Sequence, residues 1–114
     1  MAKILLAEDD ATMISLLKTL LKMEGFEVVA VDVDADVLSM VRQEMPDAIF
    51  MDVHLSGKNG LQILELIRKN EDFAHIRVVM TSGLNMRDEC LSRGASAFLL
   101  KPFMPDDLLN VLKQ

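Results

Sequence analysis

The chain has no tryptophan and no tyrosine, and its aromatic residues are five phenylalanines. Intrinsic tryptophan fluorescence therefore cannot report on any event in this protein. A single cysteine, Cys90, excludes an internal disulfide and a Cys-based zinc site, and fits a reducing cytoplasm. Lysine and arginine never cluster, and the net charge is -6 with a pI near 4.8. A nucleic-acid surface is thereby excluded, because neutralising phosphates needs grouped basic side chains. Uninterrupted apolar runs last only a few residues, against about 20 for a membrane-spanning helix. The start, "MAKILLAEDD", lacks the basic region and longer apolar stretch of a signal peptide. These absences predict a soluble cytoplasmic domain with neither nucleic-acid nor membrane partners.

What is present suffices for one core. The 114 residues are 51% apolar, which fits a single domain over residues 1–114 and argues against disorder. Short apolar runs alternate with segments of helical period. "KILLA" precedes "TMISLLKTLLKM", in which Met13, Leu16, Leu17, Leu20 and Leu21 recur at helical spacing. Asp10 reads as that helix's N-cap, and Gly25 stands just past its end. The valine-rich "EVVAV" (27–31) is strand-like, and "DADVLSMVRQEM" presents Val37, Leu38, Val41 and Met45 on one helix face before Pro46. "DAIFMD" (47–52) is a third strand, followed by the turn-forming "HLSGKNG" and the helical "LQILELIRKN". "RVVMTS", a weaker helix around 86–92, "AFLL", and a last helix with proline in its first turn complete the pattern. Strict alternation of five strands and five helices predicts right-handed crossovers: a single doubly wound α/β domain with a five-stranded parallel sheet. Strands covered on both faces should be apolar throughout, and these are.

In such sheets ligands bind beyond the carboxyl ends of the strands. The first strand ends in Glu8 and Asp9, the second at Asp32 and Asp34, the third in Asp52, the fourth in Thr81 and Ser82, and the fifth in Lys101. If the first and third strands are neighbours, three carboxylates meet beside a hydroxyl and an ammonium. Two unit charges about 4 Å apart repel by roughly 4 kcal/mol at an effective dielectric near 20. Either some of these acids protonate or a cation joins them. All-oxygen ligands with room for water favour Mg²⁺ over a full Ca²⁺ cage. A cation, a lysine and a hydroxyl around one carboxylate also suit stabilisation of a transferring phosphoryl group, which an aspartate can accept as an acyl phosphate.

Taken in order, "ILLAEDD", "FMDVHLSGKNGLQIL", "VVMTSG" and "GASAFLLKPF" resemble the receiver domain of two-component response regulators (CheY-like) across nearly the whole chain. The resemblance implies the flavodoxin-like strand order 2-1-3-4-5. It implies that Asp52 is the phosphoacceptor, and that Mg²⁺ is bound by Asp9, by Asp52, by the backbone carbonyl of His54, and by Glu8 mainly through water. Ser82 takes the place of the switch hydroxyl, Lys101 of the phosphate-pairing ammonium and Phe98 of the switch aromatic. The peptide between Lys101 and Pro102 is often cis in the family. The implied partners are a histidine kinase or histidine phosphotransfer domain, and an output domain or protein reading the face built from the fourth helix, fifth strand and fifth helix.

Several positions depart from the commoner family pattern. Glu8 stands for the more frequent Asp, Ser56 for a proline, and Asn59 for an acid before the glycine. Leu84 and His54 occupy positions that tune dephosphorylation, and an apolar Leu84 offers nothing to position an attacking water, so a long-lived phosphoryl state is expected. The last helix, "DDLLNVLKQ", carries only Lys113 as a basic residue, which argues against the ion-paired dimer of winged-helix regulators. Two rivals differ in class: a phosphorylation-independent pseudo-receiver, and a Mg²⁺-dependent aspartyl-phosphate phosphatase. The first typically lacks an acid or the lysine, and the second usually has an acid where His54 stands. The side chains of His54 and His75 read as surface groups, Cys90 as an inert thiol, and the nine methionines as adaptable core filler. "GKNG" lacks the spacing of a P-loop.

Overall fold

The computed structural model describes residues 2–31, 35–55 and 57–113. Its main sheet contains β1 (Lys3–Ala7), β2 (Glu27–Ala30), β3 (Ala48–Asp52), β6 (Arg77–Ser82) and β7 (Ala97–Leu100), all parallel, in the order β2-β1-β3-β6-β7. Counting the main-sheet strands alone, this is the flavodoxin-like order expected. The helices are α1 (Ala11–Met23), α2 (Val37–Glu44), α3 (Gly60–Lys69), α4 (Arg87–Ser92) and α5 (Pro105–Leu112). The "HLSGKNG" stretch is more than a turn: β4 (His54–Leu55) pairs antiparallel with β5 (Lys58–Asn59). The second strand stops at Ala30, one residue short of the expected run, and Asp32, Asp34 and Ser56 lie outside the described residues.

Each central strand is apolar on both faces because each face meets helices. Leu5, Ile49, Met51, Val78 and Met80 join Val37 and Val41 of α2, Leu61, Leu64 and Ile67 of α3, and Cys90 of α4 in one core. Ile4, Leu6, Phe50 and Val79 join Leu17 and Leu21 of α1 and Leu108 of α5 in the other. Truncating one such leucine to alanine costs about 2–5 kcal/mol. The starts of α1, α2 and α3 are fixed by short polar side chains. The Asp10 carboxylate accepts from the Thr12 and Met13 N–H groups, Asp36 from Leu38, and Asn59 from Leu61 and Gln62. Each such cap is worth about 1 kcal/mol. As expected, Gly25 follows α1, with φ +92°.

Gly60 locks α3 onto the end of β3. A Cβ there would lie 2.4 Å from the Asp52 carbonyl oxygen and 2.9 Å from Val53 Cα, both backbone atoms that cannot yield. The same glycine donates its N–H to the Val53 carbonyl at 2.8 Å. The helix thus begins directly against the residue that carries the central carboxylate.

Candidate functional site

The parallel register brings the strand-ending polar residues together. Ala7 pairs with Met51 and Asp52 with Thr81, so Glu8, Asp52 and Thr81 lie level at the carboxyl edge. Ser82 pairs with Leu100, and Lys101 follows, its N–H donating to the Ser82 carbonyl at 2.8 Å. The Lys101–Pro102 peptide is cis, as the resemblance implied. Lys101 Nζ lies 2.5 Å from Asp52 Oδ2 and 2.9 Å from Glu8 Oε2.

Both carboxylates are almost withdrawn from solvent, Glu8 at 4% exposure and Asp52 at 7%. Their remaining oxygens are held by backbone. Glu8 Oε1 accepts from the Asp9 and Asp10 N–H groups at 3.0 and 3.2 Å, and Asp52 Oδ1 accepts from the His54 N–H at 2.8 Å. Burial alone lowers the basicity of Lys101. Hydrogen bonding and charge attraction from Asp52 and Glu8 outweigh that burial and raise its pKa above the usual lysine range. The ammonium is therefore charged at neutral pH.

One ammonium does not neutralise the carboxylates of Glu8, Asp9 and Asp52. Glu8 Oε2 is buried without a well-directed hydrogen bond and meets Lys101 through an ionic contact. All the donors at this edge are oxygens, which suits a hard divalent cation. Among the described residues no three Asp, Glu, His or Cys side chains converge into a metal cage.

Ser82 is fully buried, and its Oγ accepts from the Leu84 N–H at 3.1 Å. Thr81, equally buried, spends its hydroxyl on the Leu99 carbonyl at 2.7 Å. Phe98 is only 2% exposed, with the Arg87 guanidinium 5.9 Å from its ring centre and donating to its carbonyl at 3.3 Å. The ring already lies inside the protein while Ser82 bonds Leu84. Both histidine side chains are exposed, and Cys90 is buried, its thiol pKa raised by burial and by Glu89, with Arg93 opposing. Gly60 and Arg87 are two neighbours of this site that sequence reasoning did not single out. The "NG" dipeptide signalled the first; nothing local signals the second.

Comparison with known proteins decides the family. The model of the response regulator receiver domain matches residues 4–113. The chain belongs to the receiver domain family. Among curated proteins, this receiver domain is 31% identical over 106 residues to the probable transcriptional regulator ycf27 of Guillardia theta, covering 93% of this chain and 42% of that protein. It is 33% identical over 114 residues to the response regulator protein FleR of Pseudomonas aeruginosa, covering 97% and 24%. The chain thus spans less than half the length of these curated relatives. Among solved structures, the chemotaxis response regulator CheY4 of Vibrio cholerae superposes with a TM-score of 0.88 at 25% identity, covering 99% of this chain and 97% of that one. The BeF3-activated N-terminal receiver domain of Klebsiella pneumoniae RstA gives a TM-score of 0.85 at 28% identity, covering 97% and 95%. Receiver domains of two-component response regulators are signalling modules, and this chain is one of them. Among the described residues no helix is long and apolar enough to cross a membrane.

Proposed function

We propose that this receiver domain accepts a phosphoryl group on Asp52 in a Mg²⁺-dependent reaction and signals by the change that follows. The observation that carries this reading is the Lys101 ammonium held between Asp52 and Glu8 at the carboxyl edge. The donor is a phosphohistidine on a histidine kinase or phosphotransfer domain. An Asp52 carboxylate oxygen forms the new O–P bond while the P–N bond breaks, and the electron pair leaves with the imidazole nitrogen. The His54 N–H fixes the orientation of Asp52 through Oδ1, and Lys101 pairs with charge on the phosphoryl oxygens. Asp9, Asp52 and the His54 carbonyl would hold Mg²⁺, with Glu8 acting through water. The bound ion supplies charge neutralisation for the transfer.

Phosphorylation adds negative charge and acceptor oxygens beside Ser82. To reach them, the Ser82 hydroxyl must reorient from the Leu84 N–H that it now accepts. Phe98 and Arg87 link this movement to the face formed by α4, β7 and α5, where an output domain or protein binds. Binding there and phosphorylation bias one equilibrium and are reciprocally coupled. Lys113, the basic residue of the last segment, pairs with Glu24, the C-cap of α1, at 3.2 Å, which supports an output mode other than the ion-paired winged-helix dimer. Leu84 is 65% exposed and apolar, which supports a phosphoryl state that outlasts removal of the donor. Complete loss within seconds contradicts that lifetime.

The test is incubation with acetyl phosphate and Mg²⁺ followed by intact-mass measurement. One added phosphoryl group, absent without metal, is the expected result. An unchanged mass overturns the reading and favours a phosphorylation-independent partner-binding module.

A further inference from the structure

A second lysine lines the acidic edge, from the β4–β5 hairpin rather than from a main-sheet strand. Lys58 sits on β5, paired with Leu55, in the same hairpin that carries His54. Its side chain lines a small cavity together with Glu8, Asp9, Val31 and Val37, and the space within is about 10 Å³, on the order of one water. Its ammonium donates a hydrogen bond to the Ala35 carbonyl, just before α2. Lys58 therefore ties the segment before α2 across the acidic cavity. Lys101 approaches from the other side, through Asp52 and Glu8.

We propose that Lys58 is a fixed counter-cation of the acidic edge that weakens its affinity for a divalent metal. This rests on the reading of that edge as a Mg²⁺ site. The physical reason is charge. Lys58 lines the same small cavity as Glu8 and Asp9, and at physiological ionic strength screening sets in over about 8 Å, so its charge acts on theirs. It stabilises them without metal and repels an entering dication. The anchoring to Ala35 matters because a free lysine would swing into solvent as the ion arrived. Lys58 acts as a positioning residue, through its charge on the carboxylates that would hold the metal.

A structural role and a charge role predict opposite signs. If Lys58 merely braced the loop, removing it would loosen the site and weaken metal binding. If its charge opposes the metal, Lys58→Met, which keeps the stem and removes the charge, binds Mg²⁺ tighter. The experiment is calorimetric titration of the unphosphorylated protein with magnesium chloride alone, for the parent, Lys58→Met, Lys58→Gln and Lys58→Arg. Both neutral variants should bind about three- to tenfold more tightly at low salt, with the gap narrowing as salt screens the charge. Lys58→Arg should stay near the parent. Equal or weaker binding by the neutral variants, or tightening by the arginine variant, overturns the inference alone. Absence of Mg²⁺ binding by the parent overturns the metal-site reading and this inference with it.

Discussion

The two edges of the sheet each hold a partly buried cation, and the two are held in opposite ways. At the carboxyl edge Lys101 faces the carboxylates of Asp52 and Glu8, charged groups that can exchange partners. Toward the opposite edge Arg68 of α3 faces only neutral oxygens among the described residues. Its Nε donates to the Gly94 carbonyl at 2.6 Å, one terminal nitrogen to the Ile76 carbonyl at 2.7 Å, and the other to Ser96 Oγ at 3.2 Å. Gly94 has φ +111°, and a Cβ there would lie 2.6 Å from Arg68 Cγ, so the arginine and the glycine fit only each other. Burial lowers the Arg68 pKa, and no charged partner offsets it. The arginine staples the end of α3 to the α4–β7 turn and the start of β6. The lysine, among surplus acids, is poised to let go. One fold thus separates a fixed end from a responsive one.

Removing each cation in turn puts this contrast under the greatest load. Arg68→Ala leaves several backbone carbonyls without a donor and should lower the unfolding free energy by about 3 kcal/mol in urea titrations followed by circular dichroism. The same variant should still be phosphorylated, per folded molecule, at the parent's rate. Lys101→Met leaves two buried carboxylates facing each other and should cost about 1–3 kcal/mol, since the lysine itself is partly exposed. Asp52→Asn, which keeps Lys101 on Glu8, should cost less than Lys101→Met, and the reverse order would remove the shared-lysine picture.

Alkaline pH separates the two cations further. The folded-state pKa of Lys101 is raised above its unfolded value, so its stabilisation is complete below the ordinary lysine range. It is lost as pH rises from the ordinary lysine value through the raised one. The urea midpoint of the parent should fall in that alkaline window more steeply than that of Lys101→Met. The smallest effect concerns the third acid of the opening run. Asp10→Ala should cost about 1 kcal/mol by uncapping α1 and leave phosphorylation unchanged.

The main-sheet strands were legible because parallel strands packed on both faces must be apolar at every position, and "AIFM" or "VVM" can hardly be anything else. The site was legible for a related reason: such sheets bind ligands at the carboxyl edge, and the runs end there in Glu8, Asp52, Ser82 and Lys101. The β4–β5 hairpin was not, since two-residue strands carry no periodicity and "SGKNG" reads as a turn. Arg68, inside "LIRKN", looks like any solvated arginine at a helix end. Its role exists only because the α4–β7 turn folds against it, 26 residues on. The Arg87–Phe98 contact is likewise tertiary, set by where α4 begins rather than by spacing. Long-range contacts between a helix and a distant loop leave no local mark.

Everything proposed for the site depends on Asp52, rather than its neighbours Glu8 and Asp9, carrying the phosphoryl group. Borohydride reduction of the acetyl phosphate-treated protein converts an aspartyl phosphate to homoserine, and peptide mass spectrometry then locates it. Homoserine at position 52 alone, and none in Asp52→Asn, is the expected result. Reduction products at position 8 or 9 in the parent, with Asp52 unmodified, would contradict it.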